Sequence, residues 1–418
     1  MELARIRKTE TYKLLFKEMY KKLLPAVVLC LLALVYSCEQ TKDFNHVYLK
    51  DNNLLRAFTS SNIITNMLLL QTAYPDIALL ADNISYDVRV YSISYKTTFM
   101  GEEIIASGLV SVPDAEGSFP VISFQNGTNT CHSNAPSVNY NNALYSLLSI
   151  NAGNGFIIAL PDYIGFGESQ EYLHPYFHSE SSNQAIRDMI LAVEEFTDYI
   201  DGLNVNKELY LMGYSQGGWA TLTALKDIEQ NHLEDYTLVS ASCGAGAYDL
   251  IDFTHYLLSL KTYPNPFYLP YYIESRRQNG IINDPLSRFF KDPYASMITG
   301  LFDGSLCNSE LNLYLTNNIS ELLTDDFLSD FDTSDDFITI RNELITSSVT
   351  PWNLNTPLMI AHSNGDQSIP IQQSSDLYSD LIAAGTPESD LVFVEIHDID
   401  HNDAIIPWGI ATLNRFIN

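Results

Sequence analysis

The sequence has few basic residues for its length. Its 418 residues include 22 Lys and Arg against 51 Asp and Glu, which gives a net charge of −29. Seven of the basic residues fall within residues 1–37, so residues 38–418 are more acidic still, with a net charge near −33. A surface of this sign repels nucleic acid and anionic lipid. We therefore expect no nucleic-acid partner.

The N-terminal apolar run, Leu23–Tyr36, is too short to span a bilayer comfortably. It follows the basic pair Lys21-Lys22 and ends at Ser37-Cys38, which is typical of a secretory leader. Its end resembles the lipobox of bacterial lipoproteins, where a small residue precedes a cysteine that is lipidated. We predict a signal peptide over 1–37 with translation starting at Met19, a lipid on Cys38, and a place in the cell envelope, at the outer membrane or cell surface. An ordinary signal peptide or an anchor helix is the alternative.

Cysteine is also scarce. Of the five cysteines, Cys30 lies in the apolar run and Cys38 is the predicted lipid site. The remaining three, Cys131, Cys243 and Cys307, allow one disulfide and one thiol in an oxidising compartment. Cys243 lies in an apolar, strand-like run and is expected to be the buried thiol. Cys131–Cys307 is then the plausible bridge.

From residue 86 onward, short apolar runs alternate with helical patterns. This alternation predicts an α/β fold, a mostly parallel sheet with helices on both faces. Two strands between Tyr86 and Val112, joined around Gly101, are expected to be antiparallel. The apolar clusters of residues 52–82 have helical spacing and predict one or two helices after a polar tether.

One segment breaks the alternation. Residues 244–350 are rich in Tyr, Phe, Pro and Asp and show helical patterns with few strand signals. The predicted organisation is therefore a tether and N-terminal helices over 38–85, a first core part over 86–243, an inserted helical cap over 244–350, and a second core part over 351–418.

The segment Gly213-Tyr214-Ser215-Gln216-Gly217-Gly218 lies between a short apolar run and a helical pattern. A G-x-S-x-G sequence in this context is typical of a nucleophile elbow, a sharp strand-to-helix turn that exposes a serine above the sheet. Glycines on either side let the strand and helix pack closely. We predict Ser215 as a nucleophile, although the five-residue pattern alone also occurs by chance.

A serine nucleophile needs a histidine base and a carboxylate that orients it, and in this arrangement the acid and then the base follow the serine along the chain. Asp366 follows the predicted strand that ends at His362, so it is the predicted acid; Asp249 and Asp252 are competitors, each expected to be a surface or helix-capping residue. His401, in the loop after the last predicted strand, is favoured as the base over His397.

The oxyanion of such a reaction needs two hydrogen-bond donors. We predict the backbone N–H of Gln216 as one. The other should come from the loop after the strand near Phe124, from Asn126 or Gly127, and Asn126 is favoured. The alternative for Asn126 is a turn-forming residue.

Three motifs together resemble the secretory lipase family of alpha/beta hydrolases, which includes fungal lipases of the Candida antarctica lipase A type. They are Pro161-Asp162-Tyr163-x-Gly165-Phe166-Gly167, His174-Pro175-Tyr176-x-His178 and the elbow around Ser215. The similarity runs from about residue 86 to 418, with a diverged cap. It implies an alpha/beta-hydrolase fold and ester hydrolysis by a Ser/Asp/His triad without a cofactor, falling here on Ser215, Asp366 and His401, with Asn126 as a donor to the oxyanion. Many relatives have His-Gly-Thr where this chain has Asn126-Gly127-Thr128. Cys131 matches a cysteine that bridges to the cap in some relatives.

The predicted function is thus a serine carboxylic-ester hydrolase, acting on a small-molecule or lipid ester. A serine peptidase on the same fold and a non-catalytic surface binding protein are the alternatives. The spacing of His174 and His178 also admits a metal site, but hydrogen bonding within the fold is favoured. No metal or cofactor is predicted.

Overall fold

The computed structural model describes residues 46–418. The predicted signal peptide, the Met19 start and the Cys38 lipid site lie outside the described residues. Among residues 46–418, no helix combines the length and the apolar character needed to cross a bilayer.

A nine-stranded sheet forms the centre of the described chain. Its strands are β1 (Leu49–Phe58), β2 (Val88–Phe99), β3 (Glu102–Pro113), β4 (Gly117–Gln125), β5 (Ile157–Pro161), β6 (Leu203–Tyr214), β7 (Thr237–Gly244), β8 (Leu358–Ser363) and β9 (Leu391–Ile396). Their spatial order is β1-β2-β3-β5-β4-β6-β7-β8-β9. The pairs from β5 through β4 to β9 are all parallel, while β1, β2, β3 and β5 pair antiparallel. The predicted fold class, a mostly parallel sheet with surrounding helices, is confirmed.

Helices connect the strands. They are α1 (Ser60–Leu69), α2 (Ile77–Asn83), α3 (Ala143–Ile150), α4 (Ser179–Thr197), α5 (Gln216–Asn231), α6 (Leu250–Ser259), α7 (Tyr268–Gln278), α8 (Tyr294–Leu301), α9 (Asn308–Leu311), α10 (Ile319–Leu322), α11 (Asp325–Asp330), α12 (Ile338–Ser347), α13 (Gln372–Ala383) and α14 (Ile405–Ile417).

The sheet separates two apolar cores. On one face, Met189 of α4 and Trp219 of α5 pack with the inward side chains of the strands. On the other face, Leu80 of α2 and Trp408 of α14 do the same. Parallel strands need apolar cover on both faces because their connecting helices pack there, so the central strands are buried nearly throughout.

The chain between β7 and β8 is helical. It contains α6 to α12, and its β pairing consists of two isolated bridges, Thr262 with Asn318 and Phe290 with Leu323. A disulfide joins Cys131, in the loop after β4, to Cys307 just before α9, and Cys243 is a buried free thiol. We call residues 244–350 the cap; its boundaries remain those predicted from the sequence.

The helix predicted at the start of residues 52–82 is wrong for residues 52–58. These residues form most of β1, and the helices begin only at Ser60. β1 pairs antiparallel with β2, and the carboxylate of Glu195 accepts hydrogen bonds from the N–H groups of Val47, Tyr48 and Leu49. Pairing with a neighbouring strand therefore overrides the local spacing of apolar residues.

Candidate active site

Three loops at the carboxyl ends of neighbouring strands bring the predicted residues together. Ser215 follows β6, Asp366 lies in the turn after β8, and His401 lies in the loop between β9 and α14. The carboxyl ends of parallel strands share one edge of the sheet, which is where α/β proteins bind their ligands. Residues far apart in the sequence are therefore neighbours at this edge.

Ser215 occupies a strained turn. Its φ and ψ are 60° and −124°, a conformation that residues other than glycine rarely adopt. A Cβ on Gly213 would overlap the carbonyl of Gly217, and one on Gly217 would overlap the carbonyl of Gln125 at the end of β4. The Ser215 N–H donates to the Gly244 carbonyl at 2.8 Å, which anchors the turn to β7. The glycines thus permit the close packing that forces the serine side chain outward.

A continuous line of hydrogen bonds, which we call the relay, joins the three side chains. Ser215 Oγ lies 2.9 Å from His401 Nε2, and His401 Nδ1 lies 2.5 Å from Asp366 Oδ2. All three residues are buried. A carboxylate only accepts, so Nδ1 carries the imidazole proton and Nε2 is left to accept the serine proton. This is the tautomer that a general base requires.

The Asp366 carboxylate accepts four hydrogen bonds. Oδ2 accepts from His401 and from His362 Nε2 at 3.1 Å, and Oδ1 accepts from the N–H groups of Ser368 and Ile369 at 2.7 and 2.9 Å. Burial by itself would raise the pKa of Asp366, but the bonds from His362 and His401 hold that pKa well below its usual range. Asp366 is therefore an anion throughout the physiological range.

The competing candidates have other partners. His397 is exposed and lies beside Glu395 and Asn364. Asp249 caps the N-terminus of α6 by accepting from the N–H groups of Ile251 and Asp252, as expected for a helix-capping residue. The structure brings neither His397 nor Asp249 into the relay.

Asn126, the favoured second oxyanion donor, lies in the loop after β4. Its side-chain Nδ2 donates to the Pro161 carbonyl at 3.0 Å, and its own carbonyl accepts from the Tyr163 hydroxyl at 3.3 Å. It therefore ties the turn after β4 to the end of β5, which is the turn-forming alternative. Gly127, in the same loop, lies beside Ser215, because a Cβ built on it would be 3.6 Å from Ser215 Cβ.

His174 is a hydrogen-bonding residue of the fold. Its Nδ1 donates to the Ile164 carbonyl at 2.8 Å, so its Nε2 accepts from Gln216 Nε2, also at 2.8 Å. Burial lowers the pKa of His174 to about 4, so the ring is neutral at ordinary pH. His178 caps α4 by accepting from the Ser181 N–H. Within residues 46–418, no cluster of three or more His, Cys, Asp or Glu side chains has the arrangement of a metal site.

An apolar cavity lies against Ser215, between the core and the cap. Its wall includes Thr128 from the loop after β4 and apolar side chains of the cap: Leu250, Phe253, Leu257, Leu269 and Leu344. An apolar lining of this kind suits an aliphatic chain.

The loop that carries Thr128 is bound to the cap. Asn308 Nδ2 donates to the Thr128 carbonyl at 2.7 Å, Thr130 Oγ1 donates to the Leu306 carbonyl at 2.9 Å, and the Cys131–Cys307 disulfide follows directly. The loop that borders Ser215 is therefore fastened to the cap near Cys307.

Two partners in this site were not expected from the sequence. His362 was noted only as the end of a strand, and the bond between Gln216 and His174 was not predicted. The spacing of four residues between His362 and Asp366 was the available signal, but it identifies a contact only once the turn between them is known.

Comparison with known proteins identifies the type of enzyme. Residues 133–257 match the model of the family described as secretory lipase. The chain is a lipase- or esterase-type hydrolase. The resemblance predicted from the sequence is confirmed, and the family description points to a secreted or extracellular protein. No curated protein sequence matches the chain significantly.

Solved structures share its fold. A candidate hydrolase from Legionella pneumophila has a TM-score of 0.77 at 23% identity, over 88% of this chain and 97% of that one. The rice cell wall degrading esterase LipA from Xanthomonas oryzae has a TM-score of 0.73 at 22% identity, over 88% and 96%. Candida antarctica lipase A in its closed state has a TM-score of 0.62 at 16% identity, over 88% and 82%.

Proposed function

We propose that this protein is a serine carboxylic-ester hydrolase that acts through Ser215, His401 and Asp366 and forms an acyl-enzyme intermediate. The observation that carries the proposal is the relay: 2.9 Å from Ser215 Oγ to His401 Nε2 and 2.5 Å from His401 Nδ1 to Asp366 Oδ2. A serine hydroxyl is a weak nucleophile until a positioned base removes its proton, and the relay supplies that base.

The reaction follows from these contacts. His401 Nε2 takes the Ser215 proton as Oγ bonds to the ester carbonyl carbon, and the carbonyl oxygen becomes an oxyanion. The resulting imidazolium, stabilised by the Asp366 anion, gives its proton to the leaving alkoxide as the C–O bond breaks. Water then attacks the acyl-Ser215 ester with His401 again acting as the base, which releases the acid and restores the serine.

The oxyanion needs donors that are already in place. Gln216 is the first residue of α5, so its N–H has no acceptor within the helix, and it points from the positive end of the helix dipole. For the second donor we propose the backbone at Gly127, since the Asn126 side chain is engaged by Pro161.

The apolar cavity beside Ser215 favours a substrate with an apolar acyl group. Burying methylene groups there contributes about 0.8 kcal/mol each. The acyl chain would then lie between the core and the cap, with its carbonyl at the elbow. A peptide, with polar amide groups along its length, fits this lining less well.

Replacing the nucleophile tests the proposal. Ser215→Ala should lower kcat for p-nitrophenyl esters by at least about 10⁴-fold, because the acyl-enzyme cannot form. Ser389→Ala is the matched control, since Ser389 is exposed and remote in the fold, in the turn before β9. A fluorophosphonate probe should label the wild type and the control but not Ser215→Ala.

The same assays separate the alternatives. Esters from acetyl to long acyl chains, compared with peptide amides, distinguish an esterase from a serine peptidase. A wild-type protein that neither hydrolyses these substrates nor reacts with the probe would instead be a binding protein. Near-wild-type turnover by Ser215→Ala would eliminate the proposed nucleophile.

We also propose that Cys38 carries a lipid that holds the enzyme at the cell envelope. The support is the sequence of the leader: a basic pair, a short apolar run and Ser37-Cys38. Intact mass of the purified protein should show an acylated chain beginning at Cys38, and Cys38→Ala should lose the acyl mass. A mature wild type without any lipid mass would contradict the anchor.

A further inference from the structure

His362 is a buried histidine beside the acid of the relay. It lies on β8, four residues before Asp366, and is fully buried. Its Nε2 lies 3.1 Å from Asp366 Oδ2 and 3.0 Å from the Ile369 carbonyl, and its Nδ1 lies 2.7 Å from Ser374 Oγ. Ser374, in the first turn of α13, is itself buried. Both ring nitrogens thus have partners.

These partners fix the tautomer of His362. A carboxylate oxygen and a carbonyl oxygen can only accept, so Nε2 must carry a proton that it shares between Asp366 and Ile369. In the neutral ring, Nδ1 then accepts from the Ser374 hydroxyl. His362 and His401 therefore present opposite nitrogens to the same carboxylate oxygen: His362 donates from Nε2 and His401 from Nδ1.

The contacts of His362 close the turn that carries the acid. Oδ1 of Asp366 is bound by the N–H groups of Ser368 and Ile369, and the carbonyl of Ile369 is bound by His362. The carboxylate is thus fixed at both oxygens by a turn that His362 ties back to β8. Without His362, Oδ2 would keep one donor, His401, which is the group that must gain and lose a proton during turnover.

We propose that His362 is a positioning residue for the relay: its Nε2–H holds the Asp366 carboxylate in the orientation that faces His401 Nδ1. This inference rests on the proposed function, in which His401 is the base. A misplaced catalytic group costs up to about a hundredfold in rate even when it is not lost. Removing the donor also leaves more negative charge on Oδ2, which stabilises the His401 imidazolium.

Other titratable groups face the same carboxylate. Tyr214 comes from β6, and three tyrosines come from the cap. Asp400, next to His401, accepts from the backbone N–H of His401. The cap tyrosines are Tyr256, Tyr263 and Tyr268. Burial raises the pKa of each of these four tyrosines, so they stay neutral over the range in which a histidine titrates. A change in the acid limb of the pH profile of kcat/KM therefore reports on the histidines and on the carboxylates beside them.

The experiment compares His362→Leu with His362→Gln. Leu removes the hydrogen bonds of both ring nitrogens, whereas the Gln amide can donate to Asp366 and accept from Ser374. For p-nitrophenyl butyrate, His362→Leu should lower kcat by roughly ten- to a hundredfold with little change in KM. The acid limb of its kcat/KM profile should move to higher pH by about half a unit or more. His362→Gln should have a kcat close to that of the wild type, and the acid limb of its kcat/KM profile should lie at the wild-type pH.

Titration of active sites with the fluorophosphonate probe corrects each rate for the fraction of folded enzyme. A corrected His362→Leu enzyme with wild-type kcat and an unmoved limb would overturn the inference, as would Gln and Leu variants with equal corrected losses. If His362→Leu does not fold, ¹⁵N NMR of the histidine rings in the wild type decides, with His362 assigned from the His362→Gln spectrum. A His362 ring that is protonated at Nε2 and unprotonated at Nδ1 supports the inference, and the opposite tautomer refutes it.

Failure of the proposed function would have a different signature. A wild type that is inert to esters and to the probe contradicts the role of Ser215, whatever the His362 variants do. The NMR tautomer measures the His362–Asp366 contact independently of turnover.

Discussion

The burial of His174 predicts how the stability of the fold depends on pH. Its pKa is lowered from 6.5 to about 4 because burial penalises the charged ring. The unfolded chain therefore binds a proton near pH 6.5, while the folded chain resists it until about pH 4. Between these values the unfolded state holds more protons, so stability falls as the pH is lowered.

The magnitude follows from the size of the shift. Each unit of pKa difference corresponds to about 1.4 kcal/mol, so the full loss is about 3 kcal/mol once the pH is below both values. Going from pH 7 to pH 5 already costs about 2 kcal/mol, since the unfolded histidine is then mostly protonated and the folded one is not. That is a large share of the roughly 5–15 kcal/mol by which domains are stable.

His174→Asn isolates this contribution. The Asn amide can replace the Nδ1–H that binds the Ile164 carbonyl, but it does not titrate. Urea unfolding, followed by tryptophan fluorescence at pH 7 and pH 5, should show a stability loss on acidification that is about 2 kcal/mol smaller in the variant.

Burial also lowers the pKa of the partly buried His178, but His178 is present in both proteins, so its contribution cancels in the comparison. Equal pH dependence of the wild type and His174→Asn would refute the reasoning, whatever the absolute stability of the variant.

Three other substitutions test the site. Gly217→Ala should abolish ester hydrolysis and lower the melting temperature, because the new Cβ would overlap the Gln125 carbonyl; Gly300→Ala, where a Cβ meets nothing within 4 Å, is the control. Replacing Cys131 and Cys307 together by Ser should cost about 2–5 kcal/mol in urea unfolding, since the bridge closes a long loop, and an unchanged midpoint would contradict a structural disulfide. Leu257→Trp, in the wall of the apolar cavity, should lower kcat/KM for long acyl esters by roughly tenfold or more and spare acetyl esters, and equal losses for both would place the acyl chain elsewhere.

The three relay residues could be predicted because their chemistry is tied to local signals. A serine between glycines after an apolar run marks the elbow, and the loops after two later strands contain Asp366 and His401. The loops that follow parallel strands lie at the same edge of the sheet, so the predicted sheet also predicts that these residues are close together. Ser215, Asp366 and His401 are brought together by topology that the alternation of strands and helices already indicated.

What could not be predicted depends on contacts between distant segments. β1 is a strand because it pairs with β2 and because the Glu195 carboxylate accepts from the N–H groups at its start, although its own sequence favours a helix. Asn126 is turned toward Pro161, which lies at the end of another strand. His362 matters only because the turn folds back on it. In the first two cases the partner lies in a distant segment, so no local pattern contains it, and in the third the spacing identifies a contact only once the turn is known.

The lining of the cavity also depends on contacts between distant segments. The preference for an acyl chain therefore cannot be predicted from the sequence of the cap alone. The lining combines Thr128 from the core loop, Leu250 and Leu257 from α6 and Leu344 from α12. The core loop is in turn bound to the cap by Asn308, Leu306 and the Cys131–Cys307 bridge. Because the loop that borders Ser215 is bound to the cap, a shift of the cap near Cys307 would move the proposed second oxyanion donor. Under the proposed function, acyl selectivity and oxyanion stabilisation should then be coupled, so a poorly fitting acyl chain should lower kcat as well as raise KM.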